Sequence, residues 1–483
     1  MRSNENVVET TAIVPPDGGW GWIIVVSSFF CNFMIDGVLY TFGIFLNHIS
    51  ETFEVHPTKV ALGNSIMVGC YAMSGPITCM IINKCGFQVV GIIGGVTAAT
   101  AYFTSTLIPS IYAFIPILGV LGGIGFGMMY LPAIVVVGYY FERWRAMATS
   151  VAVTGSALGI MTFPLIMEEL LKELHWKKKF YVIAAGLLIT SILALTYLPL
   201  KPVRVLIKDN QIIEVLGKVP PQDASTSDGQ KPKKKKKCCS CCRKYGRPEQ
   251  GEIMISTSLL TLKSHTSTID EHKVEKKMKF TNIIDITLLK SPSFLLLVMS
   301  GLISFLGLFV PFTYIAQRAE ETGVSPEISH FLYTALGVSN AVGRLLSGLC
   351  SSFPQFTPLT VSYIHITICG LVTIGSYFVT DVYSHFIYIC LFGITSACIA
   401  AIRAPIVADM LGLDRLASAY SLLMIFYGFA GFMGLPIAGA IITSQHSYNA
   451  SFLYAGCVLT ISAVMLMPIS RINKWEKRRS QEH

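Results

Sequence analysis

Asp17-Gly18-Gly19-Trp20-Gly21-Trp22-Ile23-Ile24-Val25-Val26 opens an apolar run that extends to about residue 46 and holds one charged side chain, Asp36. About 20 apolar residues in helical form cross the hydrocarbon of a bilayer, so this run is long enough to span one. Its beginning reads as a helix start at a membrane surface. A carboxylate at a helix N-terminus accepts the N–H groups that lack an intrahelical partner, and it sits at the positive end of the helix dipole. The indoles of Trp20 and Trp22 favour the lipid–water boundary. On the residues alone, the string is a capped start to a membrane helix.

Eleven further apolar runs of spanning length follow, at about 60–82, 88–108, 112–138, 146–169, 180–199, 291–316, 328–350, 358–379, 384–407, 417–443 and 450–470. The composition agrees with a chain that lives in lipid. Of 483 residues, 52% are hydrophobic and 13% charged, with mean hydropathy +0.59, whereas soluble chains carry about a quarter charged residues. A soluble enzyme, a disordered tail protein and a disulfide scaffold are thereby excluded. The polar start, residues 1–16, has no apolar core of a signal peptide, so the first span is expected to serve as the insertion signal.

The net charge of +9 is confined to one place. Residues 201–290 hold 19 of the 37 Lys and Arg and 10 of the 28 Asp and Glu, leaving 18 of each sign elsewhere. A nucleic-acid binder needs a folded basic face; a basic loop between membrane spans points instead to an anionic lipid surface. With the N-terminus in the cytoplasm, 29 basic residues fall inside and 6 outside (Lys59, Lys172, Lys177, Lys178, Lys179 and Arg318), the sense of the positive-inside rule. The expected organisation is a cytoplasmic tail over 1–17, a six-helix half over 18–199, a basic cytoplasmic loop over 200–290, a second six-helix half over 291–470 and a cytoplasmic tail over 471–483.

Within the loop, 203–219 alternates as a strand would, 220–237 is of low complexity, and the remainder is polar; the whole holds too few apolar residues for a core and reads as largely disordered. Lys233 to Lys237 run into Cys238, Cys239, Cys241 and Cys242. Three readings of that cluster stand: palmitoylation, since acyl chains and lysines both engage the inner leaflet; no modification; or a metal site, for which the C-x-x-C spacing has no second ligand pair nearby. The other nine cysteines lie in or beside apolar runs and show no disulfide framework. No cofactor is expected.

The opening string Asp17, Gly18, Gly19, Trp20, Gly21, Trp22 resembles the signature that begins helix 1 in the monocarboxylate transporter family, a branch of the major facilitator superfamily. A second string agrees. Tyr140-Phe141-Glu142-Arg143-Trp144-Arg145-Ala146, followed by Gly155 and Gly159, is similar to the family's pattern between helices 4 and 5, with Ser150 where the family has Gly. Gly155 and Gly159 form a GxxxG that permits close helix approach. Asn83-Lys84-Cys85-Gly86, Pro311-Phe312, Leu411-Gly412 and Pro436-Ile437-Ala438-Gly439 fit as well, while 443–447 lacks the family's Asp and Gly. The resemblance implies an all-α integral membrane fold of twelve helices in two six-helix halves. It also implies transport at the plasma membrane and, for some relatives, a single-span ancillary glycoprotein.

An ionisable group inside a span costs about 3 kcal/mol or more unless it faces a cavity or a partner. Arg344 stands where the family carries its expected carboxylate-binding arginine, and a guanidinium holds a carboxylate bidentately. Asn340 replaces the family's acid four residues earlier, and Tyr40 replaces a lysine of the proton-coupled members. Asp36 shares a helix face with Tyr40. It is read as a proton carrier, as an ion-pair partner of Arg344 or Arg403, or as a side chain without a role. Arg403, two residues before Pro405, reads as a cavity cation; Asp409 as a structural partner near Arg415; His365 as a packing residue.

These residues point to a carrier of small organic monocarboxylates working by alternating access. Proton symport is what the resemblance implies, and uncoupled movement of amino-acid-like or aromatic substrates is the alternative that Tyr40 and Asn340 leave open. A membrane enzyme needs convergent catalytic groups, and the ten histidines are scattered. A non-transporting sensor or scaffold is the remaining class, since the basic loop could recruit partners.

Overall fold

The computed structural model describes residues 8–12, 15–55, 57–167, 174–200, 203–208, 211–218, 286–353 and 355–482. Two units are distinct: Asp17–Pro199 with Val274–His483, and Met1–Pro16 with Leu200–Lys273.

The first unit is helical because lipid offers no partner to a backbone N–H or C=O, so each span must satisfy its own. Its first half holds α1 (Trp20–Thr41), α2 (Leu46–Phe53), α3 (Pro57–Met73), α4 (Gly75–Ser105), α5 (Ile111–Pro116), α6 (Gly123–Tyr140), α7 (Arg145–Leu165) and α8 (Trp176–Leu193). Its second half holds α9 (Pro292–Glu321), α10 (Pro326–Ser352), α11 (Pro358–Gly375), α12 (Val382–Ser396), α13 (Cys398–Ala401), α14 (Arg403–Leu411), α15 (Leu416–Gln445), α16 (Tyr448–Leu466) and α17 (Ile469–Glu482). Among the described residues, ten stretches are long and apolar enough to cross a membrane. The other two of the twelve crossings are α3, continued by the first part of α4, and α10, which carries Ser339, Asn340, Arg344 and Ser347. Within α4 the chain turns at Gly86, whose φ of 83° is open to glycine at little cost.

Close helix approach carries the first half. A Cβ on Gly155 or Gly159 would collide with the carbonyl oxygens of Phe29 and Phe33, so α7 lies backbone to backbone on α1, the arrangement that small residues allow in membranes. Ser150, at the position where glycine was expected, is buried and packs on Gly348 of α10, so the missing side chain has moved to the facing helix.

Two polar features were not legible in the residues. Arg318, near the end of α9, is buried: its guanidinium donates to Asn449 Oδ1 at 2.9 Å, to Ser376 Oγ at 2.8 Å and to the Ser376 carbonyl, and it lies 4.4 Å from the Phe452 ring centroid. The C-terminal tail forms α17, whose Glu476 accepts the Ser293 N–H at 3.2 Å and the Ser291 hydroxyl at 3.0 Å. A carboxylate there answers orphan donors at the start of α9.

The second unit contains a three-stranded antiparallel sheet in the order β1 (Val8–Ala12), β2 (Val203–Lys208), β3 (Gln211–Lys218). Val8 pairs with Ile207 and Ala12 with Val203, while β3 pairs with β2 through two register shifts. The alternation read at 203–219 is thus strand, and its third partner comes from the N-terminal tail. The low-complexity run and Cys238, Cys239, Cys241 and Cys242 lie outside the described residues.

Candidate functional site

Three buried arginines occur among the described residues, all in the second half: Arg318, Arg344 and Arg403. Their hydrogen bonding separates them. Arg318 has all three nitrogens engaged, as above. Arg344, 7% exposed, donates from Nε to Asn340 Oδ1 at 2.9 Å and from Nη1 to the carbonyl oxygen of Val153 on α7. Asn340 in turn donates to the Gly393 carbonyl at 3.2 Å and to Ser396 Oγ at 3.4 Å, which ties α10 to α12. Arg344 therefore bridges the halves through a backbone carbonyl. Arg403 is 1% exposed, and none of its Nε, Nη1 and Nη2 atoms has a hydrogen-bond partner among the described residues.

The magnitudes make Arg403 the unusual one. Burying an ion without compensating hydrogen bonds costs several kcal/mol. Its cation–π contact with the Tyr427 ring, 5.6 Å away, returns about 0.5–2 kcal/mol. That ring is also stacked on Phe305, at 4.4 Å and 5°, and the Tyr427 hydroxyl is itself buried without a partner among the described residues. The local backbone explains the placement. The crossing is interrupted at Ile402 (φ −115°, ψ 8°), and Pro405 lacks the N–H that would close the turn behind it.

Asp36 on α1 accepts a hydrogen bond from Ser156 on α7. No ion-pair contact within 4.0 Å joins Asp36 to either Arg344 or Arg403 among the described residues. Asp36 nevertheless lies within electrostatic range of Arg344, and Tyr40, Tyr71 and Tyr130 are near the same guanidinium. Tyr40, one turn after Asp36, is within electrostatic reach of Asp36, Arg344 and Tyr130, and yet 49% exposed. Tyr71 and Tyr130 meet edge to face at 5.3 Å, and the hydroxyl of Tyr130 lies 3.4 Å from that of Tyr420 on the other half. Tyr420 in turn lies near Tyr427 and Arg403.

The structure thus gathers Asp36, Tyr40, Asn340 and Arg344 around one point, and Arg403 beside it across a series of tyrosines. Sequence reasoning missed Ser156, Tyr71, Tyr130, Tyr420, Tyr427 and Phe305. Ser156 carried a signal: it follows Gly155 on the helix whose GxxxG faces α1. The tyrosines carried none that separates them from ordinary apolar packing.

The two signature strings meet each other rather than the site. Asp17 was expected to cap its own helix. Instead its Oδ1 accepts the backbone N–H groups of Glu142 at 2.7 Å and Arg143 at 3.0 Å, its own N–H donates to the Tyr140 carbonyl at 3.1 Å, and the N-cap of α1 is Gly19, without a side-chain bond. Trp22 packs on Phe141 at 5.1 Å, a Cβ on Gly21 would press on the same ring, and Trp20 Nε1 donates to the Thr196 carbonyl at 2.9 Å. Gly18 lies in the turn between these contacts. Arg143 stacks on Trp144, and Arg145 Nε donates to the carbonyls of Gly138 and Phe141.

Asp409, expected beside Arg415, pairs with Arg145 across the halves at 3.3 Å. On the same side Tyr139 donates to the Leu413 carbonyl at 2.8 Å, and Cys79 Sγ lies 3.6 Å from Ser418 Oγ. At Ala72 and Gly428, α3 and α15 still touch; a Cβ on Gly428 would lie 2.7 Å from that of Ala72. Beyond them the pair parts: a Cβ on Gly69 would touch nothing, and Phe432 is 63% exposed. The contacts of Arg145, Tyr139 and Cys79 seal the body on the side where Asp17 lies; towards the other side α3 and α15 part while α7 and α10 stay in contact, a Cβ on Gly337 lying 3.2 Å from Met161. His365 Nδ1 lies 2.8 Å from the Val361 carbonyl of its own helix, away from these groups. No cluster of three metal-ligating side chains occurs among the described residues.

Comparison with known proteins agrees with this architecture. The chain is similar to human monocarboxylate transporter 7, 23% identical over 93% of this chain and 86% of that one, and to rat monocarboxylate transporter 2, 25% identical over 100% and 91%. Among solved structures it is similar in fold to the E. coli fucose:proton symporter FucP, with TM-score 0.60, 13% identity and coverage of 92% of this chain and 98% of that one. It is also similar to the proton:xylose symporter XylE, with TM-score 0.62, 12% identity and coverage of 92% and 94%. The family model for the Major Facilitator Superfamily matches residues 28–375 and 297–482. Twelve crossings in two halves, a polar centre between them and a match along nearly the whole chain place this protein in the Major Facilitator Superfamily, as a multi-pass membrane transporter rather than an enzyme.

Proposed function

We propose that the chain carries small organic monocarboxylates across the plasma membrane by alternating access, as a divergent relative of the monocarboxylate transporters. One observation supports the reading: two buried guanidiniums, Arg344 and Arg403, lie near the Tyr130–Tyr420 contact between halves that are joined on one side, with α3 and α15 parted on the other. A cation kept inside a span at this cost is expected where an anion visits. Tyr40 and Asn340 complete the wall. Both termini are cytoplasmic in this reading, so the sealed side faces the cytoplasm. Asp36 is the group that would take a proton in each cycle, since its one hydrogen bond is from a neutral hydroxyl. A single-span ancillary glycoprotein is the partner that the resemblance implies for delivery to the membrane.

A second reading has its own support. Asn340 holds Arg344 with a neutral amide, and the centre is lined by Tyr40, Tyr71, Tyr130, Tyr420 and Tyr427, which suits uncoupled movement of amino-acid-like or aromatic carboxylates.

The test is uptake of radiolabelled acetate and lactate by liposomes that hold only the purified chain, with and without an imposed pH gradient. Flux that rises with an inward proton gradient, and is lost in Arg344→Ala, supports the coupled carrier. Flux indifferent to the gradient supports the second reading. Binding without flux would favour the sensor or scaffold and end both.

A further inference from the structure

We propose that α17 is a lipid-binding helix: Arg471, Lys474, Arg478 and Arg479, gathered around Trp475, hold the headgroups of anionic phospholipids on the side of the membrane where Asp17 lies. The inference needs the membrane fold and not the transport reading above.

The two faces of the helix are the ground for it. The last crossing, α16, ends at Leu466, and α17 starts at Ile469, so the helix begins where the chain leaves the bilayer. Ile469 is buried, Ile472 is half-buried, and Glu476 answers the donors of Ser291 and Ser293. These three fall at i, i+3 and i+7 and form the face that packs on the start of α9. The opposite face holds Arg471, Lys474, Trp475 and Arg478, all exposed, at i, i+3, i+4 and i+7. Arg479 is exposed beside them, with its guanidinium 5.4 Å from the Trp475 ring centroid. The acid of this stretch, Glu476, belongs to the other face.

Charge and the indole together select the partner. Arg471 and Lys474 stand at i, i+3, and Lys474 and Arg478 at i, i+4, spacings at which like charges weaken a helix. An anionic surface opposite them turns that penalty into attraction, and the charged lipids of a leaflet supply one within a Debye length. A soluble acidic protein would serve the charges as well, but not Trp475, which is 53% exposed in the second turn of a helix that has just left the membrane. An indole with an apolar body and a polar N–H settles where acyl chains meet headgroups. The first half shows the same pairing: Arg143 stacks on the exposed Trp144 in the turn between α6 and α7, and Trp20 and Trp22 are exposed at the start of α1. Because Glu476 ties α17 to Ser291 and Ser293, lipid held on the stripe also holds the start of the second half.

The experiment uses the full purified chain in liposomes of phosphatidylcholine with phosphatidylserine as a minor component. Acyl chains brominated near the headgroup are carried by one lipid or by the other, at equal bromine content. Bromine quenches a nearby indole, and the difference between the unaltered chain and Trp475→Phe isolates the signal of Trp475. That signal is expected to be quenched at least about twofold more when the bromine is on the serine lipid. Arg471→Gln, Lys474→Gln, Arg478→Gln and Arg479→Gln together should bring the two lipids level, which separates the stripe from lipid gathered by the basic loop. Salt at about 1 M, which shortens the Debye length to about 3 Å, should do the same to the unaltered chain and keeps the test open if the quadruple variant fails to fold. Equal quenching by both lipids in the unaltered chain overturns the proposal, as does a preference that survives neutralisation or, where that variant does not fold, salt. A Trp475 that neither lipid quenches overturns it too, and would leave the stripe to an acidic soluble partner.

Discussion

Asn340 Oδ1 accepts the Nε–H of Arg344 at 2.9 Å, one helical turn apart on α10, while its amide nitrogen reaches α12. The contact shows how a chain that lacks an acid at this position keeps an arginine in the membrane: the amide supplies an acceptor without a charge. Asn340→Leu would leave a buried N–H of a cation unanswered, at about 1.5–3 kcal/mol for a hydrogen bond to a charged group. Thermal unfolding in detergent should show that loss, with Asn340→Asp in between, because it keeps the acceptor for Arg344 and loses the donor to the Gly393 carbonyl. An Asn340→Leu protein as stable as the parent would show that Arg344 draws nothing from this bond.

Asp17 joins the start of α1 to the turn between α6 and α7. Asp17→Ala removes the acceptor for two backbone N–H groups, and losing a side-chain cap of this kind costs about 0.5–2 kcal/mol. Asp17 has φ 46°, a region that Asn tolerates better than most residues. Asp17→Asn should therefore retain most of the stability and Asp17→Ala lose it, read as melting temperature and as yield of folded protein. Equal loss in both would assign the role to charge instead of to the hydrogen bonds.

Gly155→Ala places a methyl group against the Phe29 carbonyl oxygen. Overpacking of a well-filled interface costs about 1–3 kcal/mol, and here the obstacle is backbone, which cannot rotate away. A smaller monodisperse peak in size-exclusion chromatography is the expected outcome. A normal peak would mean that α1 can slide on α7.

Spans, halves and a close approach at Gly155 and Gly159 were legible in the residues, because backbone satisfaction in lipid leaves one solution and a GxxxG marks where it tightens; that α1 is the partner was not. The central polar positions were legible for a related reason: Asp36, Arg344 and Arg403 are conspicuous only because charge is costly there. What each of them touches was not. Whether Arg344 meets Asp36 or the Val153 carbonyl depends on rotation of α10 by a fraction of a turn, and Asp409 chose Arg145 over Arg415 for the same kind of reason. The Asp17 staple was hidden more deeply, since a carboxylate before a helix satisfies local rules whether it caps its own helix or a turn 125 residues away. The strand at Val8–Ala12 was missed because five alternating residues acquire meaning only with a partner at Val203–Lys208.

Cys79 Sγ lies 3.6 Å from Ser418 Oγ, so α4 and α15 touch across the halves on the sealed side. A disulfide needs sulfurs at about 2.05 Å and Cα atoms within roughly 7 Å, and two side chains already in contact require a small adjustment to meet that. Ser418→Cys under oxidant should therefore form a bond that holds the halves as they are here. If transport requires this side to part, flux falls to background on oxidation and returns with a reductant, while Cys79→Ser in the same background is indifferent to both. The cross-link itself is read separately, by protection of both thiols from alkylation. Complete protection with undiminished flux would show that the helices around Cys79 and Ser418 stay together through the cycle, and that access alternates by a movement smaller than the rocking of whole halves.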